Sequence, residues 1–282
     1  MTSAAPETKG RRVSATAPRP LALVTGASSG LGEAFARAYA ARGHDLALVA
    51  RRKDRLDALA AELTAAHGID ALVIPADLSL FEAHLPVLAV VAAAGREVDV
   101  LVNNAGFGIP QSYLGVPWDR QRDFLMTLIV TPCGFAYGVL PGMIERGGGV
   151  IINICSLAAF SPGVAGNSLY PGAKGLALKF SQSLDAEYRA KGLRVTAVCP
   201  GFTKTGFGEA AGVQAIMDAE PRFFWQSAET VVAATLAAND RGKVVVIPGW
   251  HNKLSVFLMR ALPEPLVRMM IAAGSKKYHL GD

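Results

Sequence analysis

Short apolar runs alternate along the chain with longer segments of helical period. Leu21–Thr25, Leu46–Ala50, Ala71–Pro75, Val98–Val102, Val150–Cys155, Val195–Cys199 and Val244–Pro248 are almost continuously apolar. That character belongs to strands covered on both faces of a sheet. Between them, Leu31–Arg42, Arg55–His67, Trp118–Glu145, Leu169–Ala190 and Ala228–Ala238 carry helical patterns. The rhythm predicts an α/β fold, with a mostly parallel seven-stranded sheet, doubly wound and flanked by helices. One such domain is expected over residues 20–250. Residues 1–19, rich in Ala, Pro, Ser, Thr and Arg, are expected to be a disordered basic tail, and 251–282 to form an apolar-basic extension.

Composition sharpens this picture. The chain has 282 residues, 51% of them hydrophobic, and a mean hydropathy of +0.30. The most membrane-like run, Phe124–Ile144, contains Pro132, Pro141 and three glycines. It also falls inside the alternation, so a buried, kinked central helix is the expectation. The first 20 residues are polar and lack an apolar core. Cys133, Cys155 and Cys199 are odd in number and set in apolar surroundings, and read as reduced thiols of a cytoplasmic protein. His44, His67, His84, His251 and His279 show no ligand spacing, so no metal is expected. Of the net charge of +5, residues 1–20 and 251–282 each carry +3, which leaves the body near neutral. A nucleic-acid partner is therefore disfavoured.

Two motifs carry chemistry. After the first strand comes Thr25-Gly-Ala-Ser-Ser-Gly-Leu-Gly32. Gly26 permits a sharp turn, Gly30 and Gly32 remove side chains where a pyrophosphate would approach and where helix meets strand, and the following helix offers its positive end to that anion. Downstream lies Tyr170-Pro-Gly-Ala-Lys174. The spacing puts a phenol and an ammonium on one helix face, one turn apart. A cation held there favours phenolate, making the tyrosine a usable acid or base nearer neutrality. The second strand ends in Ala50-Arg51-Arg52-Lys53. Cations there suit a ribose 2′-phosphate, where a carboxylate would suit a free 2′-hydroxyl, so NADP(H) is expected in preference to NAD(H).

These residues, with Asp77-Leu78, Asn103-Asn104-Ala105-Gly106, Ser156, and Pro200-Gly201 followed by Thr205, make the chain resemble the short-chain dehydrogenase/reductase superfamily over roughly residues 20–250. The resemblance implies a Rossmann-like domain and assigns roles. Gly26, Ser28, Ser29, Gly30 and Leu31 would form the cofactor turn, with Arg51 and Arg52 at the 2′-phosphate. Asp77 would bond the adenine amino group with Leu78 beside it, while Asn103, Ala105 and Gly106 line the ribose and pyrophosphate region and Asn104 braces the sheet. Pro200, Gly201 and Phe202 would pack on the nicotinamide, and Thr203 or Thr205 would bond its carboxamide or a phosphate. Tyr170 would be the proton donor, Lys174 would hold the nicotinamide ribose and lower the tyrosine pKa, and Ser156 would orient the carbonyl oxygen. A homodimer or homotetramer is also implied.

One position departs from the pattern. Many members carry an asparagine in the long helix that helps hold a relay water behind the lysine, and this chain has Ile129 there. Isoleucine offers no donor or acceptor. Pro132, three residues on, has no N–H for the Leu128 carbonyl, so an opened turn could present a main-chain carbonyl instead. Residues after Thr205 (Phe207, Met217, Phe223, Phe224, Trp225) are apolar and fit either a hydrophobic carbonyl substrate or simple anchoring of a loop. Lys253–Lys277 mixes apolar and basic residues and is split by Pro263 and Pro265. It suits peripheral contact with an anionic lipid surface, a subunit interface or a cover for the substrate mouth. Three readings follow: an NADPH-dependent reductase of hydrophobic ketones, a weakly active or non-catalytic NADP(H)-binding regulator, and a membrane-surface lipid or ketoacyl reductase.

Overall fold

The computed structural model describes residues 18–163, 165–205, 208 and 221–275; the tail 1–17, Phe207, Met217 and the terminus beyond 275 lie outside the described residues. Its strands are β1 (Leu21–Thr25), β2 (Asp45–Ala50), β3 (Ala71–Pro75), β4 (Val98–Asn103), β5 (Gly149–Ile154), β6 (Leu193–Val198), β7 (Thr203–Lys204), β8 (Gln226–Ser227) and β9 (Val245–Val246). Seven of them form one sheet in the order β3-β2-β1-β4-β5-β6-β9, and every neighbouring pair is parallel. The described helices are α1 (Gly30–Ala41), α2 (Lys53–His67), α3 (His84–Ala93), α4 (Trp118–Leu125), α5 (Thr131–Glu145), α6 (Tyr170–Tyr188), α7 (Ala228–Asp240), α8 (Trp250–Ala261) and α9 (Glu264–Ser275).

The continuous apolar runs are explained by two cores, one on each side of the sheet. Val24, Leu48, Val102 and Ile152 pack with Phe35, Leu56, Leu63 and Val231 of α1, α2 and α7. Their neighbours Leu23, Val49, Leu101 and Ile151 point the other way, onto Val87, Phe135, Met143 and Leu184 of α3, α5 and α6. The strand order reverses beside β1, between β1 and β4, and a crevice opens there at the carboxyl ends of the strands.

The last strand is shorter than the expected Val244–Pro248. α3 carries no sequence signal, because its Leu-Pro-Val-Leu-Ala-Val-Val run is apolar all round and has Pro86 in its first turn. α8 and α9 are likewise additions to the expected helices, separated at Pro263. Trp118–Glu145 is helical throughout and apolar enough by length and composition to cross a membrane. Yet Phe124, Phe135, Ala136, Val139 and Met143 within it are buried in the protein.

That long helix is not uniform. Met126–Val130 forms a π turn, in which the Thr131 amide reaches back five residues to the Met126 carbonyl. Pro132 cannot donate to the Leu128 carbonyl, and the wider turn accommodates its ring. Beneath it, a buried polar chain joins β4, β5 and α6. Asn103 Nδ2 donates to Asn153 Oδ1 at 2.9 Å, and Asn153 Nδ2 donates to Ser181 Oγ at 2.9 Å. Asn153→Ala breaks both bonds inside the core and should cost about 2–3 kcal/mol in urea unfolding. A loss below about 1 kcal/mol would show that the neighbours re-pair.

Candidate active site

The crevice is first shaped by the turn between β1 and α1. Gly26 and Gly30 hold φ of +67° and +60°, a region that favours glycine. Gly32 is required by contact, since a Cβ there would lie 2.3 Å from the Gly26 carbonyl oxygen. Asn104 closes the turn from the far side, donating through Nδ2 to the carbonyls of Thr25 (2.9 Å) and Gly26 (3.3 Å). The Thr25 hydroxyl accepts from the amides of Asn104 and Ala105. The bracing role expected of Asn104 is thus visible as hydrogen bonds, and Gly106 continues past it beneath Leu128. Leu31 lies in the first turn of α1, directly behind Gly30.

Arg52, at the end of β2, folds across this turn. Its guanidinium donates to Ser28 Oγ at 2.9 Å, to Ser29 Oγ at 3.0 Å and to the Ser28 carbonyl at 3.3 Å. Arg51 lies beside Asp77, at the end of β3. Burial alone would raise the Asp77 carboxyl, but hydrogen bonds from the Ser79 amide and hydroxyl, with the Arg51 charge, hold it below the usual range. Leu78 is buried, and its carbonyl accepts from Thr131 Oγ1 at 2.9 Å.

Ser156, Tyr170 and Lys174 stand at the ends of β5 and the start of α6. Ser156 Oγ accepts from the Ala158 amide at 3.2 Å, so the hydroxyl also caps the short turn Leu157–Phe160. The Lys174 ammonium is buried, donates to the Ile154 carbonyl at 2.8 Å and lies 5.6 Å from the Tyr170 ring centroid. After β6, Leu157 N donates to the Pro200 carbonyl, joining the serine turn to Pro200-Gly201. The Phe202 ring faces Trp225 at 5.8 Å. Of the two threonines, Thr203 is buried and donates to the Gly201 carbonyl, whereas Thr205 sits against Gly30, where a Cβ would come within 2.8 Å of its own Cβ.

One expected contact is reassigned. The Asn103 side chain does not face the crevice; its Nδ2 bonds Asn153 and the Pro132 carbonyl (3.3 Å), and its buried Oδ1 has no protein partner. Asn103, Asn153, Lys174, Leu128, Ile129, Pro132 and Cys133 surround a cavity behind the lysine. A water-sized sphere has about 20 Å³ in which to place its centre there, enough for one water with polar partners. The π turn forms one wall. Ile129 itself packs with Phe124, Leu128 and Phe107 around the Tyr170 ring. This apolar wall, with Ile109 and Ala173, was not anticipated; the aromatics at 107 and 124 flanking the Asn-Ala-Gly turn and the long helix were its only sequence signal.

Burial pushes the Lys174 ammonium below its ordinary value, while the nearby Cys155 and Cys199 sulfurs pull the other way. A lysine with a lowered folded pKa destabilises the fold wherever it is charged, and stability recovers as pH rises through the window up to the unfolded value. Lys174→Met should therefore raise the melting temperature of the cofactor-free protein by about 2 °C at neutral pH. The advantage should shrink as pH approaches the ordinary lysine range. A lower melting temperature would mean that the bond to Ile154 outweighs desolvation.

Comparison with known proteins agrees with this geometry. The short chain dehydrogenase family model matches residues 20–214. A very-long-chain 3-oxoacyl-CoA reductase of Anas platyrhynchos is 36% identical over 219 residues, covering 76% of this chain and 67% of its own. An uncharacterized oxidoreductase of Myxococcus xanthus is 32% identical over 245 residues, covering 87% and 93%. Among solved structures, a short-chain dehydrogenase from Sphingobium yanoikuyae in complex with NADPH superposes with a TM-score of 0.74 at 33% identity, over 87% of this chain and 97% of that one. The bulky-bulky ketone specific alcohol dehydrogenase of Comamonas testosteroni gives 0.73 at 28%, over 94% and 96%. The crevice at the strand ends, its glycine turn and the Tyr170–Lys174 pair thus sit in a chain that belongs to the short-chain dehydrogenase/reductase superfamily of oxidoreductases.

Proposed function

We propose that the protein is an NADPH-dependent carbonyl reductase that interconverts a hydrophobic ketone and its secondary alcohol. The observation that carries this reading is the Tyr170–Lys174 pair, its ammonium locked to the Ile154 carbonyl at the rim of the glycine-shaped crevice. The crevice fits a dinucleotide. A side chain at Gly30 would project towards Thr205, which borders it there, and the N-terminus of α1 points into it. Arg52 with Ser28 and Ser29 offers a cation and two hydroxyls where a 2′-phosphate would lie. The NADPH complex of the Sphingobium relative supports the same choice.

When bound, the nicotinamide supplies the hydride that goes to the carbonyl carbon. Tyr170 gives its phenolic proton to the carbonyl oxygen, so ketone, hydride and proton together make the alcohol. Ser156 Oγ donates to that oxygen as negative charge builds there, while still accepting from the Ala158 amide. Lys174 favours the phenolate left behind. A water in the cavity, held by Asn103 Oδ1 and main-chain carbonyls of the π turn, would return the proton through the lysine; Ile129 then needs no polar group. Phe124, Phe107 and Ile109 beside the Tyr170 ring, and Phe202 with Trp225, supply apolar walls for the substrate.

Arg52→Ala should lower kcat/KM with NADPH about 10–100-fold and leave NADH nearly unchanged, as expected for a lost charge-assisted pair. Equal losses with both cofactors would remove the 2′-phosphate assignment. In the same assay with an apolar ketone, Tyr170→Phe should cut kcat by about 10²–10⁴ with NADPH binding intact. Filling the cavity by Cys133→Leu should slow turnover about tenfold by obstructing the relay. If wild type shows neither turnover nor a tyrosine ionising below ~10 in its NADP⁺ complex, the chain is a cofactor-binding regulator instead.

A further inference from the structure

α8 and α9 are anchored by few side chains. Asn252 and Val256 are the buried residues of α8, and Val267 is the one seen buried in α9. On the opposite side of α8, Trp250, Leu254, Phe257 and Leu258 share one helical face, and Trp250 and Phe257 are 65% and 64% exposed. Leu266, Met269 and Met270 do the same on α9, with Met269 63% exposed. Phe223, itself exposed, extends the apolar surface, its ring 5.4 Å from that of Trp250. Lys253 and Arg260 run along one edge of the α8 stripe. The extension carries a net +3 over residues 251–282, with Lys276 and Lys277 following α9 in sequence.

We infer that this face docks on the surface of an anionic lipid bilayer. Each helix has 12 residues, spanning about 18 Å, too short to cross a bilayer core of about 30 Å. Apolar stripes with a bulky aromatic and flanking cations are suited to lying in the headgroup plane. The charge argues against a second copy as the occupant. A two-fold contact sets the same patch against itself, so one cationic extension would face another. A phospholipid surface of opposite sign gains from the same charge.

Docking would set the active site at the membrane. A Cβ on Gly201 would meet Asn252 Oδ1 at 2.4 Å, so α8 lies directly on the Pro200-Gly201 turn. Arg260 lies over the Phe160 ring at 4.8 Å, on the turn that Ser156 caps. The substrate class that fits is an apolar carbonyl compound partitioned into lipid. This last step rests on the proposed reductase function, whereas the docking does not.

The test is flotation of the full-length NADPH-bound protein. One set of vesicles has three parts phosphatidylcholine to one part phosphatidylglycerol, and the other is phosphatidylcholine alone. The wild type should float with the anionic vesicles, bind neutral ones about 100-fold more weakly, and release in high salt. The double variant Phe257→Glu, Met269→Glu should stay soluble while keeping its melting temperature and NADPH binding. The inference fails if the wild type does not float or the variant floats equally well. It also fails if size exclusion shows the substitutions splitting a dimer, which would make a second copy the occupant. A protein that floats but reduces no ketone would support the docking and remove the reductase reading.

Discussion

The site is organised around a buried positive charge. Lys174 sits one turn into α6, its ammonium held by the Ile154 carbonyl at the end of β5. A lysine out of water is costly, and burial lowers its proton affinity. The bond to the Ile154 carbonyl offsets part of that cost, and the ammonium has the Tyr170 ring on one side and a small cavity on the other. Loss of the β5–α6 juxtaposition would part the ammonium from the Ile154 carbonyl. The Asn103–Asn153–Ser181 chain, which ties β4, β5 and α6 together below the site, maintains that juxtaposition.

The cradle for the dinucleotide follows from a different constraint, close approach of backbone to backbone. Gly32 must lack a side chain because the Gly26 carbonyl lies where its Cβ would be, and Asn104 fills the remaining space with hydrogen bonds to the same turn. Arg52, Asp77, Asn104, Ser156 and Pro200 follow the ends of strands, whereas Tyr170 and Lys174 are brought by the start of α6. Arg52 places a cation at one end of the rim, and an apolar wall surrounds Tyr170 at the other.

Ile129 leaves the position of the asparagine that many family members carry without a polar group. The residue has no polar atom, and its side chain joins the apolar cluster around the tyrosine. The neighbouring π turn, opened where Pro132 lacks its N–H, contributes Leu128 and Ile129 to the lining of a cavity that Asn103, whose Oδ1 has no protein partner, also lines.

Much of this was legible in the residues themselves. Continuous apolar runs gave all seven sheet strands to within two residues at each end, because strands covered on both faces are mostly apolar. The glycine turn, the Arg51-Arg52 pair and the Tyr170–Lys174 spacing are local, and each speaks through its immediate chain neighbours. α3 escaped notice because it is apolar on every side, and α8 and α9 because their exposed faces are as apolar as their buried ones. What only the tertiary structure decided depends on residues far apart in sequence. The Asn103 side chain turned inward to Asn153, Thr205 and not Thr203 came to rest on Gly30, Phe107 and Phe124 met Tyr170, and α8 settled on Gly201. Local pattern fixes which backbone forms and which face is greasy. Which of several polar groups is left facing a crevice is settled by packing across the sheet, where a few ångströms of approach decide every partner.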